Sequence, residues 1–201
     1  MDNILVIGAH GKVGRLIIKN LVSRGKHVRG MIRSDDQSEL MHSLGAEIFI
    51  GDLEKDFSQA FEDMNCVIFT AGSGSHTGPD KTISVDQEGA LKSIDLALKN
   101  KIKKFIMVSA QGARDPEHSE RIRHYYRAKK IADDYLVKSG LNYIIFRPGR
   151  LHDDEKNRKI RLSTSFKEKG ITARANLARS IADSIDNYDL DKQIIEILDE
   201  E

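Results

Sequence analysis

Residues 3–14 read Asn3-Ile4-Leu5-Val6-Ile7-Gly8-Ala9-His10-Gly11-Lys12-Val13-Gly14. The opening run is short, continuously apolar and closed by glycine, which predicts a strand buried on both faces. From Lys12 to Ser23 the apolar residues fall at Val13, Leu16, Ile17 and Leu21, the spacing of an amphipathic helix, and Arg24-Gly25 stops it. Between strand and helix, each glycine answers a separate steric demand. Gly8 permits a sharp turn out of the strand, Gly11 lets backbone approach a pyrophosphate without an intervening Cβ, and Gly14 lets the helix pack close to the sheet. Exposed amides at the helix start, with the positive end of its dipole, then suit an anion. Gly-x-x-Gly-x-x-Gly alone is a weak signal, compatible with an ordinary tight turn. Placed after a buried strand and opening a helix, with His10, Lys12 and Val13 inside the loop, it predicts a dinucleotide site.

The same alternation continues outward. Strands are predicted at His27–Arg33, Glu47–Gly51, Cys66–Phe69, Phe105–Val108 and Tyr143–Phe146, with a last one at Ile194–Leu198. Helices are predicted over Asp36–Leu44, around Gln59–Phe61, and over Val85–Lys99, Arg121–Ser139 and Leu177–Asp186. A helix at each crossover forces consecutive strands to run parallel. The expected fold is therefore α/β, a Rossmann-type doubly wound parallel sheet. Residues 1–201 form one domain in this reading, with about 150–201 contributing a small substrate lobe. The polar stretch His152–Lys159 is expected to be a mobile loop, and Gly72–Gly78 a flexible cover over part of the cofactor.

The end of the second strand bears on which dinucleotide fits. An NAD site usually places an acid roughly 20 residues past the glycine loop, accepting from the ribose 2′-hydroxyl. This chain has Ile32-Arg33-Ser34 there. A guanidinium pairs with a 2′-phosphate that an acid would repel, so NADP(H) is expected over NAD(H), with Lys12 as a second cation near the same phosphate. A solvated Arg33, with Asp35 or Asp36 reaching the ribose, is the opposing possibility.

In this arrangement the chain resembles the atypical short-chain dehydrogenases/reductases, in the NAD(P)-binding group of NmrA-like proteins and biliverdin/flavin reductases. The resemblance runs from Gly8–Gly14, with His10 where threonine is more usual, through nearly the whole chain. It implies that Asp52, in Gly51-Asp52-Leu53, meets the adenine amine, and that Thr70-Ala71-Gly72 lines the adenine ribose. Val85-Asp86 with Gly89-Ala90 resembles the central-helix motif of the group. Arg147-Pro148-Gly149 resembles the turn that meets the nicotinamide end, which brings in Pro148. Ile171–Ala178 resembles a late segment of the group, with Asn176 in place of its usual aspartate. Val108-Ser109 followed by Tyr125 and Lys129 resembles the catalytic serine and Tyr-x-x-x-Lys.

Tyr125 and Lys129 are four residues apart and share a helix face. An adjacent ammonium is expected to lower the phenol pKa and make it a general acid toward a carbonyl oxygen, with Ser109 hydrogen-bonded to that oxygen. Tyr126 and Lys130 have the same spacing, so the register is ambiguous, and Arg121, Arg123, His124 and Arg127 can make this helix simply a solvated basic face.

Other chemistry finds little support. The seven histidines include no His-Glu-x-x-His pair, so no metal is expected. Lys and Arg total 32 against 31 Asp and Glu, and no aromatic platform accompanies the basic helix, so nucleic acid is not an expected partner. No apolar stretch approaches the roughly 20 residues needed to span a bilayer. Met1-Asp2-Asn3 has no basic leader, and Cys66 has no second cysteine to pair with, so a soluble cytoplasmic protein, monomer or homodimer, is expected. The functional expectation is reduction of a small acceptor, a quinone, flavin or carbonyl compound, by hydride transfer from NADP(H). A non-catalytic NADP-binding redox sensor is the alternative.

Overall fold

In the computed structural model, which describes residues 2–74, 77–154 and 159–200, β1 (Asn3–Ile7) has Ile4 through Ile7 fully buried. Ile4 and Val6 pack into one core layer and Leu5 and Ile7 into the other, which is why the run shows no polar alternation. α1 (Lys12–Val22) lays Ile17, Ile18 and Leu21 against the first of these layers. Each such side chain contributes about 1.5–3 kcal/mol on burial.

The chain continues through β2 (His27–Ile32), a 3-10 turn at Asp35–Gln37, α2 (Ser38–Ser43), β3 (Glu47–Ile50), a 3-10 turn at Ser58–Phe61 and β4 (Cys66–Phe69). A single turn, α3 (Pro79–Lys81), leads into a π-helical stretch, Thr82–Glu88, and on into α4 (Gly89–Lys99). β5 (Lys104–Val108), α5 (Arg123–Lys138) and β6 (Tyr143–Pro148) follow. Beyond them lie β7 (Arg150–His152), β8 (Ile160–Ser163), β9 (Ile171–Ala173), α6 (Arg174–Ser184) and β10 (Gln193–Asp199).

The main sheet has the order β3-β2-β1-β4-β5-β6-β10-β8, parallel throughout except for β8, which pairs antiparallel to β10 at the edge. This is the doubly wound arrangement, with helices on both faces. α1 and α6 cover one face, while α4 and α5 cover the other. Strand order reverses between β1 and β4, which opens a crevice at their carboxyl ends.

Three strands escaped the sequence pattern: β7, β8 and β9 have three or four residues each, too few for periodicity to register. The last fifty residues also divide their work. β10 and α6 extend the sheet and its helical layer, and the β7–β9 pair stands apart as a small parallel ribbon. Of the stretch His152–Lys159, residues 155–158 lie outside the described residues, as do Ser75 and His76 of the glycine-rich segment after β4. Cys66 is buried in β4, which pushes its thiol pKa up to about 12 and leaves it inert. Among the described residues no helix is long and apolar enough to cross a membrane.

Candidate functional site

The carboxyl ends of β1, β4, β5 and β6 converge on the crevice. Gly8 leaves β1 with φ +85°, and a Cβ there would stand 2.6 Å from the Ala71 amide nitrogen, so the turn requires glycine on two counts. At Gly14 a Cβ would press on the carbonyl oxygens of Gly8 and Ala9, the close helix packing expected of it. Gly11 is the extended residue that precedes α1, no side chain caps the helix, and its first turn holds no acid. The first amides of α1 are thus left as unclaimed donors.

Two cavities flank this helix start. One, of about 320 Å³, is lined by Gly8, His10, Gly11, Arg33, Asp52 and Leu53. The other, of about 680 Å³, is lined by Lys12, Val13, Ser109, Tyr125 and Lys129. They share Gly11 and Thr70–Ser73, forming one trough that passes over the amides of α1. A third cavity, of about 620 Å³, opens from the second at Ser109 and Tyr125 and continues to Pro148 and Arg150.

At the far end of the trough, Lys129 is buried, with its ammonium 3.2 Å from Asp86 Oδ1. It also donates to the carbonyls of Ala71 and Val108, both at 3.4 Å. Asp86 comes from the π-helical stretch, a geometry common at functional sites, and its other oxygen accepts the Ser73 amide at 2.8 Å. Burial alone would lower the Lys129 pKa, but Asp86 and its neighbours raise it above the ordinary lysine value, so the ammonium is charged. It lies 5.8 Å from the centre of the Tyr125 ring. Tyr126 borders the third cavity beside Tyr125, its ring packed so closely on Gly112 that a Cβ there would overlap it. Packing therefore sets the Lys129 ammonium beside the Tyr125 ring.

Two expectations are corrected here. Withdrawal from water raises the Tyr125 pKa above its usual 10; Lys129 pulls it down but does not prevail. The lowered phenol pKa expected from the spacing does not hold in this structure, because desolvation outweighs the ammonium. Ser109 does not direct its proton into the cavity: its hydroxyl donates to Asp133 Oδ2 at 2.9 Å. The same oxygen accepts Arg147 Nε at 2.9 Å and Arg147 Nη2 at 2.8 Å. A hydroxyl has one proton, so Ser109 faces the cavity as an acceptor. Burial raises the Asp133 pKa more than Arg147 and Ser109 lower it, leaving it above the usual carboxylate range.

Other expected residues separate by place. Arg33, His10, Asp52 and Leu53 share the first cavity, and Ala71 and Gly72 line both. Lys12 does not join Arg33. It lines the second cavity and meets Asp153 at 2.6 Å, and Asp153 also takes Arg174 at 2.7 Å. Ser34 precedes the 3-10 turn, is exposed and lines none of the three cavities. Pro148 borders the third cavity rather than the trough. Asp133 went unnoticed in the sequence, although Tyr125, Lys129 and Asp133 recur every four residues along one helix face.

Known proteins place this arrangement in context. A family model described as NAD(P)H-binding matches residues 8–188. A Bacillus subtilis (strain 168) relative named as an uncharacterized sugar epimerase, YhfK, is 34% identical over 199 residues, covering 96% of this chain and 92% of its own. A solved structure from Bacillus halodurans, provisionally described as an NAD-dependent epimerase/dehydratase, superposes with TM-score 0.97 at 40% identity, covering 100% of this chain and 95% of that one. ChuY from Escherichia coli O157:H7, described as an anaerobillin reductase, superposes with TM-score 0.85 at 26% identity, covering 98% of this chain and 97% of its own.

Proposed function

Because the chain belongs to the NAD(P)H-binding family, we propose that it is an NADP(H)-dependent reductase of a small acceptor, a quinone, flavin or carbonyl compound. The observation that carries this reading is the position of Tyr125, protonated, backed by the Lys129 ammonium and open to both the trough and the third cavity.

The residues fit a dinucleotide. The glycine-lined floor, the uncapped start of α1 and the length of the trough accommodate a pyrophosphate at Gly11, with an adenosine toward Asp52 and a nicotinamide toward Tyr125. Arg33, on the wall of the adenosine cavity with no acid ending β2, supports a 2′-phosphate there. When bound, the reduced nicotinamide supplies the hydride.

The chain's own residues handle the proton. As a carbonyl carbon gains the hydride, its oxygen takes the π pair, and Tyr125 donates its phenolic proton to that oxygen. The product is an alcohol, and solvent returns a proton to the phenolate. Lys129 stabilises the transient phenolate, and Asp86 keeps the lysine charged. Ser109, its proton held by Asp133, presents only lone pairs to the cavity that Tyr125 also lines.

The name of YhfK as a sugar epimerase suggests a different outcome, in which cofactor is recycled within each turnover. Following absorbance of NADPH with a panel of aldehydes, quinones and flavins distinguishes these readings. Acceptor-dependent, stoichiometric loss of NADPH is expected. Tight NADPH binding without loss for any acceptor would overturn the reductase reading and leave the sensor or the epimerase.

A further inference from the structure

The third cavity carries an excess of positive charge that the proposed hydride and proton steps do not use. Five Lys or Arg side chains and two carboxylates line it, whereas the whole chain is balanced to a net charge of +1. Both carboxylates are engaged, Asp115 with His118 at 2.7 Å and Glu168 with Arg161 at 2.9 Å. Of the cations, Arg114 is tied to Glu196 and Arg174 to Asp153. Arg150, Lys167 and Lys169 have no ion-pair partner among the described residues.

The backbone that carries these three cations is held by buried structure, while their side chains are exposed. Glu196, fully buried in β10, accepts the Phe166 amide at 2.9 Å and Gln111 Nε2 at 3.3 Å, and pairs with Arg114 at 2.9 Å. Arg114 donates to the Phe166 carbonyl at 2.8 Å, and Gln111 to that of Glu168 at 2.9 Å. The segment carrying Lys167 and Lys169 is therefore anchored on either side of the lysines. Arg150 is tied to its end, because the Arg150 amide donates to the Gly170 carbonyl at 2.9 Å. Tyr125 lines the same cavity.

We propose that this cavity binds an anionic substituent of the acceptor, a carboxylate or a phosphate, through Arg150, Lys167 and Lys169, with the acceptor's reducible group directed toward Tyr125. The proposal rests on the reductase reading and narrows it to acceptors bearing negative charge. A backbone already fixed brings the three cations to one wall without a loop-ordering cost, and a charge-assisted contact of this kind is worth about ten- to a hundredfold in affinity.

Matched acceptors test it: benzaldehyde against its para-carboxy derivative, and riboflavin against flavin mononucleotide. The anionic member of at least one pair should have a kcat/KM at least tenfold above its neutral partner, and the advantage should shrink as salt screens the exposed lysines. In Lys167→Glu/Lys169→Glu that ratio should fall tenfold or more. A response in the aldehyde pair identifies a carboxylate site, and one in the flavin pair a phosphate site. Equal kcat/KM within both pairs, unaltered by the double substitution, would overturn the proposal. If no acceptor is reduced, the reductase reading falls, but the subsite is still read by calorimetry. Benzoate or phenyl phosphate should bind the NADP-loaded protein and lose affinity in the double variant. Absence of any such binding overturns the subsite as well.

Discussion

Lys129 and Asp86, both buried, meet at 3.2 Å on the floor of the second cavity, one contributed by α5 and the other by the π-helical stretch before α4. The pair joins two elements on one face of the sheet while holding a charge behind Tyr125. Lysine 129 thus has structural as well as chemical consequences. Replacing it with methionine strands the Asp86 carboxylate and should cost about 3–5 kcal/mol of stability, read from the urea midpoint. Adding Asp86→Asn, which keeps an acceptor for the Ser73 amide, should recover a large part of that loss. Full stability in Lys129→Met alone would mean that the pair contributes nothing to the fold.

In the proposed reading cofactor choice turns on Arg33, which lies on the wall of the first cavity and makes no side-chain ion pair there among the described residues. NADPH should bind more tightly than NADH by about ten- to a hundredfold, the worth of a charge-assisted phosphate contact. Arg33→Asp should close or reverse the gap in a fluorescence titration. Lys12→Ala should leave the ratio nearly unaltered, because Lys12 lines the other cavity. Equal affinity of the unaltered protein for both cofactors would remove the basis of the NADP assignment.

The two loop glycines should separate folding from binding. A Cβ at Gly11 meets only the Gly8 oxygen, at 3.1 Å, on an exposed helix start. Gly11→Val should therefore cost less than about 1 kcal/mol of stability yet block dinucleotide binding, since its branched side chain would fill the proposed pyrophosphate position. Gly8→Ala should instead destabilise by more than about 1 kcal/mol, because it combines φ +85° with contact on the Ala71 backbone. Thermal melts with and without NADPH distinguish the two. A Gly11→Val protein still stabilised by NADPH would reduce the loop to a turn.

Much of this organisation was legible from local pattern. β1, the glycine turn and α1 are specified within twenty residues by burial periodicity and steric need, and the parallel alternation follows from the helices between strands. The remainder depends on contacts between distant residues, which no period reveals. Whether Tyr125 or Tyr126 faces Lys129 is decided by the approach of Gly112, and the direction of the Tyr125 pKa by the depth of the surrounding protein. Ser109 reads as a strand-end hydroxyl until Asp133, twenty-four residues on, claims its proton. Arg33 and Lys12 read as neighbours because both are cations near a phosphate site, yet α1 and β2 deliver them to different cavities.

The most exacting prediction concerns Tyr125 as proton donor. Its pKa lies above 10, so the phenol stays protonated across the neutral range, which suits donation in reduction and disfavours acceptance in the reverse oxidation. Loss of the acid form comes only as pH rises through that raised pKa. The kcat for acceptor reduction should therefore hold level through neutral pH and decline only beyond 10, while the oxidative direction should climb with pH over the same span. Tyr125→Phe should cut kcat by about 10²–10⁴ with NADPH affinity nearly unaltered. Tyr126→Phe is the register control. Its ring packs on Gly112 at the border of the third cavity and the substitution removes only a hydroxyl, so any change should fall on KM while kcat stays within about twofold. If Tyr125→Phe retained full activity with a good acceptor, the proton would have to come from solvent, and the Lys129–Asp86 pair would be left with its structural role alone.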